Sequence, residues 1–516
     1  MGGSWGVGPS LDSAAMTRNV SLPVIVEDAA RPGCGSPADS HAEYEKKEKC
    51  GVIAVWGDSD AVRKTYYALY AQQHRGQESA GISVTDGKKL FCHTGMGLIP
   101  EVFTADVLDD LSKHGARGAI GHNRYSTAGG SMLCNAQPLL TAYVGGQVAL
   151  GHNGNLINAD ALRLDFERAG HLFQTTSDTE VIIHLLASPL QQRQPDPLAA
   201  TLRRLQGAFS LVFLFPDRIE VARDPWGWRP LVIGKLPGGG IMAASETVAL
   251  DVLGAELIRE VEPGEIVTIS DRGVESRRFA ATARPPAHCV FEHVYFANPA
   301  STIFGQNVQI TREALGARLA KEAPVLADFV MPMPDSGRSA AAGYAQASGL
   351  PYREGIVPNR YVGRTFIKPS QAERVAAVRL KLNVIAEIVR GKKVVVVDDS
   401  VVRGTTTKAK MDQIRQAGAK EIHLRISCPP IRHPCYFGVD FATRDQLIAH
   451  NRSVDEVAKF LGVDSLHYLS LEGLLACMSR PAPNYCTACY SGDYRLDPEN
   501  PETGEIVEGE QLKIFG

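Results

Sequence analysis

The sequence has no long hydrophobic run. Apolar stretches such as residues 211–215 and 394–397 are far shorter than the roughly 20 residues that a membrane-spanning helix needs. Residues 1–49 lack the basic start followed by an apolar segment of about 7–15 residues that marks a signal peptide, and their longest apolar run covers only residues 22–26. These absences predict a protein with no membrane partner and no secretory signal.

Cysteine and net charge are also scarce. Ten cysteines in 516 residues are too few for a secreted disulfide scaffold, so we expect a reducing, cytoplasmic location. Lys and Arg number 54 against 57 Asp and Glu, and this formal net charge of −3 argues against a nucleic-acid partner. With 44% hydrophobic and 22% charged residues, the composition is that of a globular protein, and the length predicts more than one domain.

The first half of the chain has the pattern of an α+β domain. Residues 1–49 are rich in Gly, Ser, Pro and Ala, and we expect a poorly ordered leader there. Over residues 50–285, short apolar strands such as 208–215 and 219–223 are mixed with helical patterns such as 179–187. This mixture predicts layered antiparallel sheets with helices.

The second half, from residue 286 to residue 516, has a different pattern. Two consecutive prolines at 285 and 286 mark the boundary, because neither continues a helix or a central strand. The β-branched run at 394–397 is typical of a strand buried on both faces in a parallel sheet. A helix predicted at 406–417 and a strand at 421–427 complete a βαβ unit. We therefore predict a doubly wound α/β domain.

The segment that follows the strand at 394–397 predicts a phosphate site. Asp398 and Asp399 stand at the carboxyl end of the strand, where open α/β sheets bind ligands. Gly404 then opens a helix whose unpaired N–H groups and dipole favour a phosphate. An acid pair suits sugar hydroxyls or a metal ion, so the segment fits a sugar phosphate. The P-loop pattern is absent from the chain. A capped helix after a strand is the alternative, and spacing alone does not separate the two.

This segment resembles the phosphoribosyl diphosphate (PRPP) motif of type I phosphoribosyltransferases. The resemblance implies that the two acids contact the ribose hydroxyls and help to hold Mg²⁺, while the following turn binds the 5′-phosphate. The PRPP-binding residues carried over are Asp398, Asp399, Ser400, Arg403, Gly404, Thr405, Thr406 and Thr407.

Two further segments fit the same substrate. Pro334-Asp335-Ser336-Gly337 resembles the other ligand loop of that family, which adds Ser336 to the magnesium site. The segment between residues 359 and 381 contains six basic residues and one acidic residue. Basic side chains there would neutralise the charge of a leaving diphosphate. We expect Arg364 and Lys368 of this basic segment to bind PRPP. A solvated basic face is the alternative.

Residues 50–54, Cys-Gly-Val-Ile-Ala, resemble the start of class II glutamine amidotransferases, which are N-terminal nucleophile hydrolases. Four more motifs follow in the order of that family: Gln73-His74-Arg75-Gly76-Gln77-Glu78, Gly121-His122-Asn123-Arg124-Tyr125, Gly151-His152-Asn153-Gly154-Asn155 and Ser177-Asp178-Thr179-Glu180. A thiolate attacks the glutamine amide in such enzymes, and fixed donors stabilise the oxyanion. The resemblance implies that Cys50 is the nucleophile and that Asn153 and Gly154 form the oxyanion hole. Arg124 would bind the α-carboxylate of glutamine and Asp178 its α-ammonium.

The base in this reaction would be the α-amine of Cys50. A free α-amino group has a pKa of about 7.7–8.0 and can take the thiol proton. That requires cleavage of the bond between Lys49 and Cys50, so residues 1–49 are interpreted as a propeptide. Cys50 alone would fit a buried strand cysteine; the order and spacing of all the motifs favour the nucleophile.

Four cysteines in the second half form a candidate cluster site. Cys486 and Cys489 make a C-x2-C pair, which suits zinc, a redox pair, an iron–sulfur half-site or two core residues. Cys289 and Cys435 would complete a four-thiolate site. All their contexts resemble the iron–sulfur branch of the amidophosphoribosyltransferases, where four such cysteines bind a [4Fe–4S] cluster. Spacing alone does not separate zinc from iron.

Taken together, residues 50 to about 494 resemble the amidophosphoribosyltransferases, in their iron–sulfur, propeptide-containing branch. The resemblance implies that glutamine, PRPP and water give 5-phospho-β-D-ribosylamine, glutamate and diphosphate, the first committed step of purine biosynthesis. It also implies an internal ammonia channel and one Mg²⁺ and one cluster per subunit. Feedback inhibition by purine nucleotides and a homotetramer are further implications.

Two other functions are the alternatives. Another class II amidotransferase would share the first domain, but the motif at 398–407 argues against one, because those enzymes carry different synthase domains. A PRPP-sensing regulator that binds DNA would carry a helix-turn-helix and a basic surface. This chain carries glutaminase motifs instead, and its net charge is slightly negative.

Overall fold

The structure is a computed structural model that describes residues 48–126, 132–280, 285–359, 382–439 and 443–497. The predicted leader up to residue 47, and the basic segment with Arg364 and Lys368, lie outside the described residues. Among the residues that are described, no helix is long and apolar enough to cross a membrane.

Two antiparallel sheets form the first half of the molecule. The strands of the seven-stranded sheet are, in spatial order, β11 (Glu256–Glu260), β9 (Val232–Lys235), β10 (Ile241–Ala244), β1 (Glu48–Trp56), β4 (Gly118–Ser126), β2 (Ser79–Thr85) and β3 (Leu90–Met96). Those of the six-stranded sheet are β13 (Gly273–Arg278), β12 (Glu265–Ser270), β8 (Arg218–Arg223), β7 (Gly207–Phe215), β6 (Gly146–Leu156) and β5 (Leu139–Tyr143).

The two sheets pack face to face and helices cover their outer faces. In β1, Ile53 and Val55 belong to the core beneath the first helices, whereas Val52 and Ala54 pack with Val212 of the other sheet. This alternation follows from the two-residue period of a strand. The helices are α1 (Ala61–Ala71), α2 (Ile99–Val102), α3 (Ala105–Lys113), α4 (Ala159–Arg168), α5 (Thr179–Ala187), α6 (Pro189–Gln192), α7 (Pro197–Leu202) and α8 (Val248–Val252).

A parallel sheet forms the centre of the second half. Its strands are, in spatial order, β17 (Phe329–Pro332), β20 (Lys393–Asp398), β21 (Glu421–Ile426) and β22 (Ser465–Tyr468). The valines of β20 are fully buried, as expected for a strand covered on both faces. The helices of this half are α9 (Val308–Glu322), α10 (Arg338–Ser348), α11 (Ala386–Val389), α12 (Thr405–Gln416), α13 (Val454–Leu461), α14 (Leu471–Leu475) and α15 (Ala488–Ser491).

Three two-stranded pairs complete the described strands. They are β14 (His288–Cys289) with β23 (Tyr485–Cys486), β15 (Thr302–Ile303) with β16 (Gln306–Asn307), and β18 (Ile356–Pro358) with β19 (Leu382–Val384). The first pair is parallel and brings the two ends of the second half together.

The predicted fold class is confirmed: layered antiparallel sheets with helices precede an α/β region with a parallel sheet. The helix expected at 406–417 is α12, and the strand expected at 421–427 is β21. The domain boundaries at 49/50 and 285/286 stay predictions.

Candidate active site

Cys50 is an interior residue of the central strand β1. Its side chain is fully buried, and its ladder partner on β4 is Arg124. The backbone carbonyl of Cys50 accepts a hydrogen bond from Nε of Arg75 at 3.0 Å. β1 begins two residues before Cys50, and Lys49 and Glu48 pair with Tyr125 and Ser126 of β4.

The predicted glutaminase residues face the space between the two antiparallel sheets. Cys50 shares a strand face with Val52, and Arg124 shares one with Ile120; both apolar residues belong to the core between the sheets. Asn153 lies on the face of β6 that carries Ala149, which belongs to the same core. The side chains of Cys50, Arg124 and Asn153, from three different strands, therefore lie in the same layer between the sheets.

A serine that the sequence did not single out ties two of these strands together. Ser245 Oγ accepts hydrogen bonds from the backbone N–H of Val52 at 3.0 Å and from Asn153 Nδ2 at 3.3 Å. Gly154 next to it allows a close strand approach, because a Cβ there would lie 1.9 Å from the carbonyl oxygen of Ala208. The proposed oxyanion pair is therefore held rigidly against β7.

Arg124 and Asp178, the predicted ligands of glutamine, are both buried. Nη1 of Arg124 lies 3.4 Å from Oε1 of Glu78. Asp178 precedes α5 and accepts a hydrogen bond from the N–H of Leu156 at 2.9 Å. Asp178 thus stands at the end of β6, close along that strand to the oxyanion pair.

The second candidate site lies where the parallel strands end. Asp398 is the last residue of β20, and its Oδ1 accepts a hydrogen bond from the N–H of Asp399 at 3.0 Å. Ser400 Oγ donates to Asp399 Oδ1 at 2.5 Å. Gly404 has a φ of +76° and caps α12, so glycine suits this turn, which directs the chain into the helix. Arg403, Thr405 and Thr406 are exposed, and Thr407 is buried.

Ser336 stands beside the acid pair because of strand order. Its loop follows β17, the parallel neighbour of β20, and both strands end at the same edge. The N–H of Met333 donates to the carbonyl of Val397 at 2.8 Å, and a Cβ on Gly337 would lie 2.4 Å from that same oxygen. The loop is thereby packed against the residue that precedes Asp398.

The acid pair is electrostatically unusual. Burial, together with the neighbouring Asp399 carboxylate, raises the pKa of Asp398 well above its usual range. Two close carboxylates favour a bound cation, and the charge of Lys410 already opposes the rise in the pKa of Asp398. This chemistry fits a site for a divalent ion and its phosphate ligand.

A cavity of about 470 Å³ is lined by residues from both halves of the molecule. Asn153 and Tyr125 of the first half and Ser336 and Lys410 of the second half are among them. Residues 295–299 also line it. The cavity therefore borders both the proposed oxyanion hole and the loop beside the acid pair.

The four predicted cluster cysteines are brought near one another. Cys289 and Cys486 are register partners in the parallel pair of β14 and β23. All four carry free thiols. Burial raises the pKa of Cys289 to about 12 and that of Cys486 to about 11, and the thiols of Cys435, Cys486 and Cys289 all act on Cys489.

The surroundings of these thiols fit a metal cluster. The indole of Trp228 stacks on Phe437 with ring centroids 4.4 Å apart, and it also donates a hydrogen bond to the Cys486 thiol. The N–H of Phe437 points to Cys435 Sγ at 3.4 Å. Over the described ranges no group of three or more His, Cys, Asp or Glu is arranged to hold a single metal ion. All four side chains are cysteines, the ligand type that holds iron–sulfur clusters, so the donor set would fit one.

Several residues of the site carry no signal that we interpreted in the sequence. Arg75 lies inside a quoted motif, and Glu292 within the context of Cys289, yet neither was given a role. Ser245 and Lys410 lie outside every motif. Their importance arises from contacts between distant parts of the chain.

Comparison with known proteins gives independent evidence on the family. The family model of a glutamine amidotransferase domain matches residues 122–252. The amidophosphoribosyltransferase of Methanothermobacter thermautotrophicus is 46% identical over 477 residues, which covers 91% of this chain and 98% of that protein. That of Bacillus subtilis is 48% identical over 452 residues, covering 87% and 94% respectively.

Solved structures agree. One described as the allosteric regulatory enzyme of purine biosynthesis has a TM-score of 0.81 and 47% identity, over 86% of this chain and 96% of its own. The glutamine PRPP amidotransferase from B. subtilis, complexed with ADP and GMP, has a TM-score of 0.80 and 46% identity, over 86% and 97%. With relatives this similar over nearly the whole chain, the protein belongs to the amidophosphoribosyltransferase family of purine biosynthesis.

Proposed function

We propose that this enzyme releases ammonia from glutamine at Cys50 and adds it to PRPP bound at Asp398 and Asp399. The products are 5-phospho-β-D-ribosylamine, glutamate and diphosphate. The observation that carries this assignment is the cavity of about 470 Å³, lined by residues of both sites. A route of this kind fits a reaction in which a small neutral molecule must pass between two centres.

In the glutaminase half, Cys50 attacks the side-chain amide carbon of glutamine. Asn153 Nδ2 and the N–H of Gly154 stabilise the oxyanion, in an environment that excludes water and strengthens each hydrogen bond. Arg124 and Asp178 bind the α-carboxylate and α-ammonium. The burial of Cys50, Arg124, Asn153 and Asp178 supports the assignment.

In the acceptor half, the start of α12 holds the 5′-phosphate and the acid pair holds the ribose hydroxyls. The exposed Thr405 and Thr406 at the helix start support this placement. Ser336, Asp398 and Asp399 would hold one Mg²⁺, which neutralises charge on the diphosphate. Arg364 and Lys368 are proposed to bind the same diphosphate.

Direct transfer follows from the chemistry of ammonia. In bulk water near neutral pH ammonia becomes ammonium and loses the lone pair that attacks the ribose C1. A cavity shielded from water preserves the neutral form. Tyr125 and residues 295–299 would line this route.

We further propose that Cys289, Cys435, Cys486 and Cys489 bind one [4Fe–4S] cluster per subunit. The cluster would tie β14, β23 and the segment around Cys435 together. Four unbridged thiols in an aromatic surrounding support this proposal. Arg229, whose charge acts on Cys289 and Cys435, would balance the negative cluster.

The remaining proposals come from the family. Residues 1–49 are a propeptide whose removal frees the α-amine of Cys50. Purine nucleotides act as feedback inhibitors, in line with the related B. subtilis structure complexed with ADP and GMP. A homotetramer is proposed on family grounds, and a cytoplasmic location on the low cysteine content.

The decisive experiment measures glutamate release from glutamine by anaerobically purified protein, with and without magnesium PRPP. We expect strong stimulation by PRPP, because the two sites are coupled. Glutamate release that does not change when PRPP is added would support the glutaminase assignment and refute the coupling between the two sites. If there is no release in either case, sequencing of the amino terminus shows whether the leader is still attached. A correctly cut but inactive protein would contradict the role of Cys50.

A further inference from the structure

A buried group of four charged side chains lies directly behind Cys50. We call it the charge cluster; its members are Arg75, Arg229, Glu246 and Glu292, each 5% exposed or less. Two positive and two negative charges balance one another there. Buried ions are costly unless they are paired and hydrogen-bonded, so removal of one member leaves its partners uncompensated.

Arg75 connects this cluster to the candidate nucleophile. Its Nε donates to the carbonyl of Cys50 at 3.0 Å. Its Nη1 and Nη2 donate to the two carboxylate oxygens of Glu292, at 3.0 Å and 2.8 Å, and Nη1 also bonds to Glu246. A two-pronged contact with a carboxylate fixes the plane of the guanidinium. Glu292 therefore determines how Arg75 approaches β1.

Glu292 also has a second arginine. Its Oε1 accepts from Nη1 of Arg229 at 3.0 Å, and Nη2 of that arginine donates to the carbonyl of Phe437 at 2.8 Å. The N–H of Phe437 points in turn to Sγ of Cys435. A continuous series of hydrogen bonds thus leads from the Cys50 backbone, through Glu292, to a proposed cluster ligand.

We propose that Glu292 is a positioning residue of the glutaminase reaction: its carboxylate holds Arg75 on the Cys50 carbonyl and connects that arginine, through Arg229, to the segment around Cys435. This inference rests on the proposed role of Cys50. Glu292 belongs to the second half of the chain, so it is one point at which that half sets the geometry of the first. A displacement of about 1 Å at a reacting atom can cost up to about 100-fold in rate.

The test compares Glu292→Gln with Glu265→Gln. Glu265 is a matched control: it is buried in the same half as Cys50 and pairs with both Nη atoms of Arg259, at 2.8 Å and 2.7 Å, but it lies on β12 of the other sheet. For Glu292→Gln we expect the glutaminase kcat with magnesium PRPP to fall about 10- to 100-fold. The KM for glutamine should stay within about threefold, because Arg124 and Asp178 are unchanged.

Synthesis from ammonium salts separates positioning from general damage. This route bypasses Cys50, so we expect Glu292→Gln to retain it within about twofold. Glu265→Gln should retain both routes. A parallel loss of both routes in Glu292→Gln, or an unchanged glutaminase kcat, would overturn the proposal. A wild-type enzyme that releases no glutamate would refute the role of Cys50 instead, which distinguishes the two failures.

Glu292→Asp provides the second variant if Glu292→Gln does not fold. Aspartate keeps the buried charge but is one methylene shorter, so it cannot reach both arginines as glutamate does. We expect a loss of about three- to tenfold in glutaminase kcat, with ammonia-dependent synthesis retained. A wild-type kcat in this variant would overturn the positioning role.

Discussion

The two halves of the molecule build their candidate sites in different ways. In the antiparallel half, Cys50, Arg124 and Asn153 are interior residues of strands, and ladder neighbours hold each of them. In the parallel half, Asp398 ends a strand, and the ligand residues after it lie in a turn and at a helix start. A strand interior moves only with its sheet, whereas a turn can rearrange around a ligand. The comparison teaches that strand ladders fix the first candidate site, whereas the second lies in a turn that has room to adjust to a ligand.

The buried carboxylates of the two candidate sites also differ. Behind Cys50, Glu246 pairs with His74 and Arg75, and Glu292 pairs with Arg75 and Arg229; these partners hold the pKa of both carboxyl groups below the usual range. At the end of β20, two carboxylates adjoin each other, and the pKa of Asp398 is raised. In the first half, basic side chains of the protein neutralise the buried carboxylates. In the second half, the acid pair is arranged to bind a cation that arrives with the ligand.

The largest effect is expected for loss of the nucleophile, which should abolish the reaction of the first half and spare that of the second. Cys50→Ala should lower glutamine-dependent synthesis by at least about 1,000-fold, because the nucleophile is lost, and leave ammonia-dependent synthesis within about twofold. Product formation from glutamine and from ammonium salts is compared. Cys92→Ala, in β3 of the same sheet, is the control. Retained glutamine turnover would remove Cys50 from the mechanism.

Asp398→Asn should lower both routes by about 100-fold, because both need bound PRPP. The same two assays measure it, with PRPP concentration varied. Asp412→Asn on the exposed side of α12 serves as the control and should retain both activities. Normal ammonia-dependent synthesis in Asp398→Asn would contradict the role of the acid pair.

Cys489→Ser concerns the place where the two halves meet. We expect iron content to fall below about one tenth of the wild-type value, together with the yield of folded protein. Iron analysis and the visible absorption of anaerobically purified protein provide the measurement. Cys477→Ser is the control, since that thiol donates to the carbonyl of Gly473 and lies outside the proposed ligand set. Unchanged iron in Cys489→Ser would exclude it as a ligand.

The smallest effect concerns acid stability. Burial of His122 lowers its pKa to about 3, and its ring bonds to the carbonyl of His152 at 3.0 Å. The unfolded chain gains a proton near pH 6.5 while the folded one does not, so stability is lost as pH falls from 6.5 towards 3. At pH 5 this amounts to about 2 kcal/mol.

His122→Gln should reduce the difference between the free energies of unfolding at pH 7 and pH 5 by that amount. Urea unfolding at both values tests it. His423→Gln in the parallel sheet should change the difference less, because Glu421 opposes the effect of burial on its pKa. An unchanged difference in His122→Gln would show that this imidazole is protonated in the folded state.

How much the sequence predicts depends on how local the signal is. Residues 394–407 are contiguous, so the strand, the acid pair and the helix start were located within one residue. The glutaminase motifs were recognisable by their order along the chain. The charge cluster could not be recognised in this way, because Arg75 and Glu292 are 217 positions apart and no sequence pattern shows which buried charges form pairs. The cavity that both halves line likewise arises only when they pack.

The backward extension of β1 has a consequence for maturation. On one side of β4, β2 reaches only as far as Arg124, so the ladder beyond that residue depends on Glu48 and Lys49 of the uncut chain. If the proposed cleavage takes place, the uncut chain would be inactive for two reasons: its nucleophile would lack a free amine, and Glu48 and Lys49 would occupy the strand position beside Ser126 and Tyr125. Cleavage would supply the amine and release the end of the strand that carries Arg124. A single cut at Lys49 would both activate the thiol and free the glutamine-binding strand to respond to its substrate.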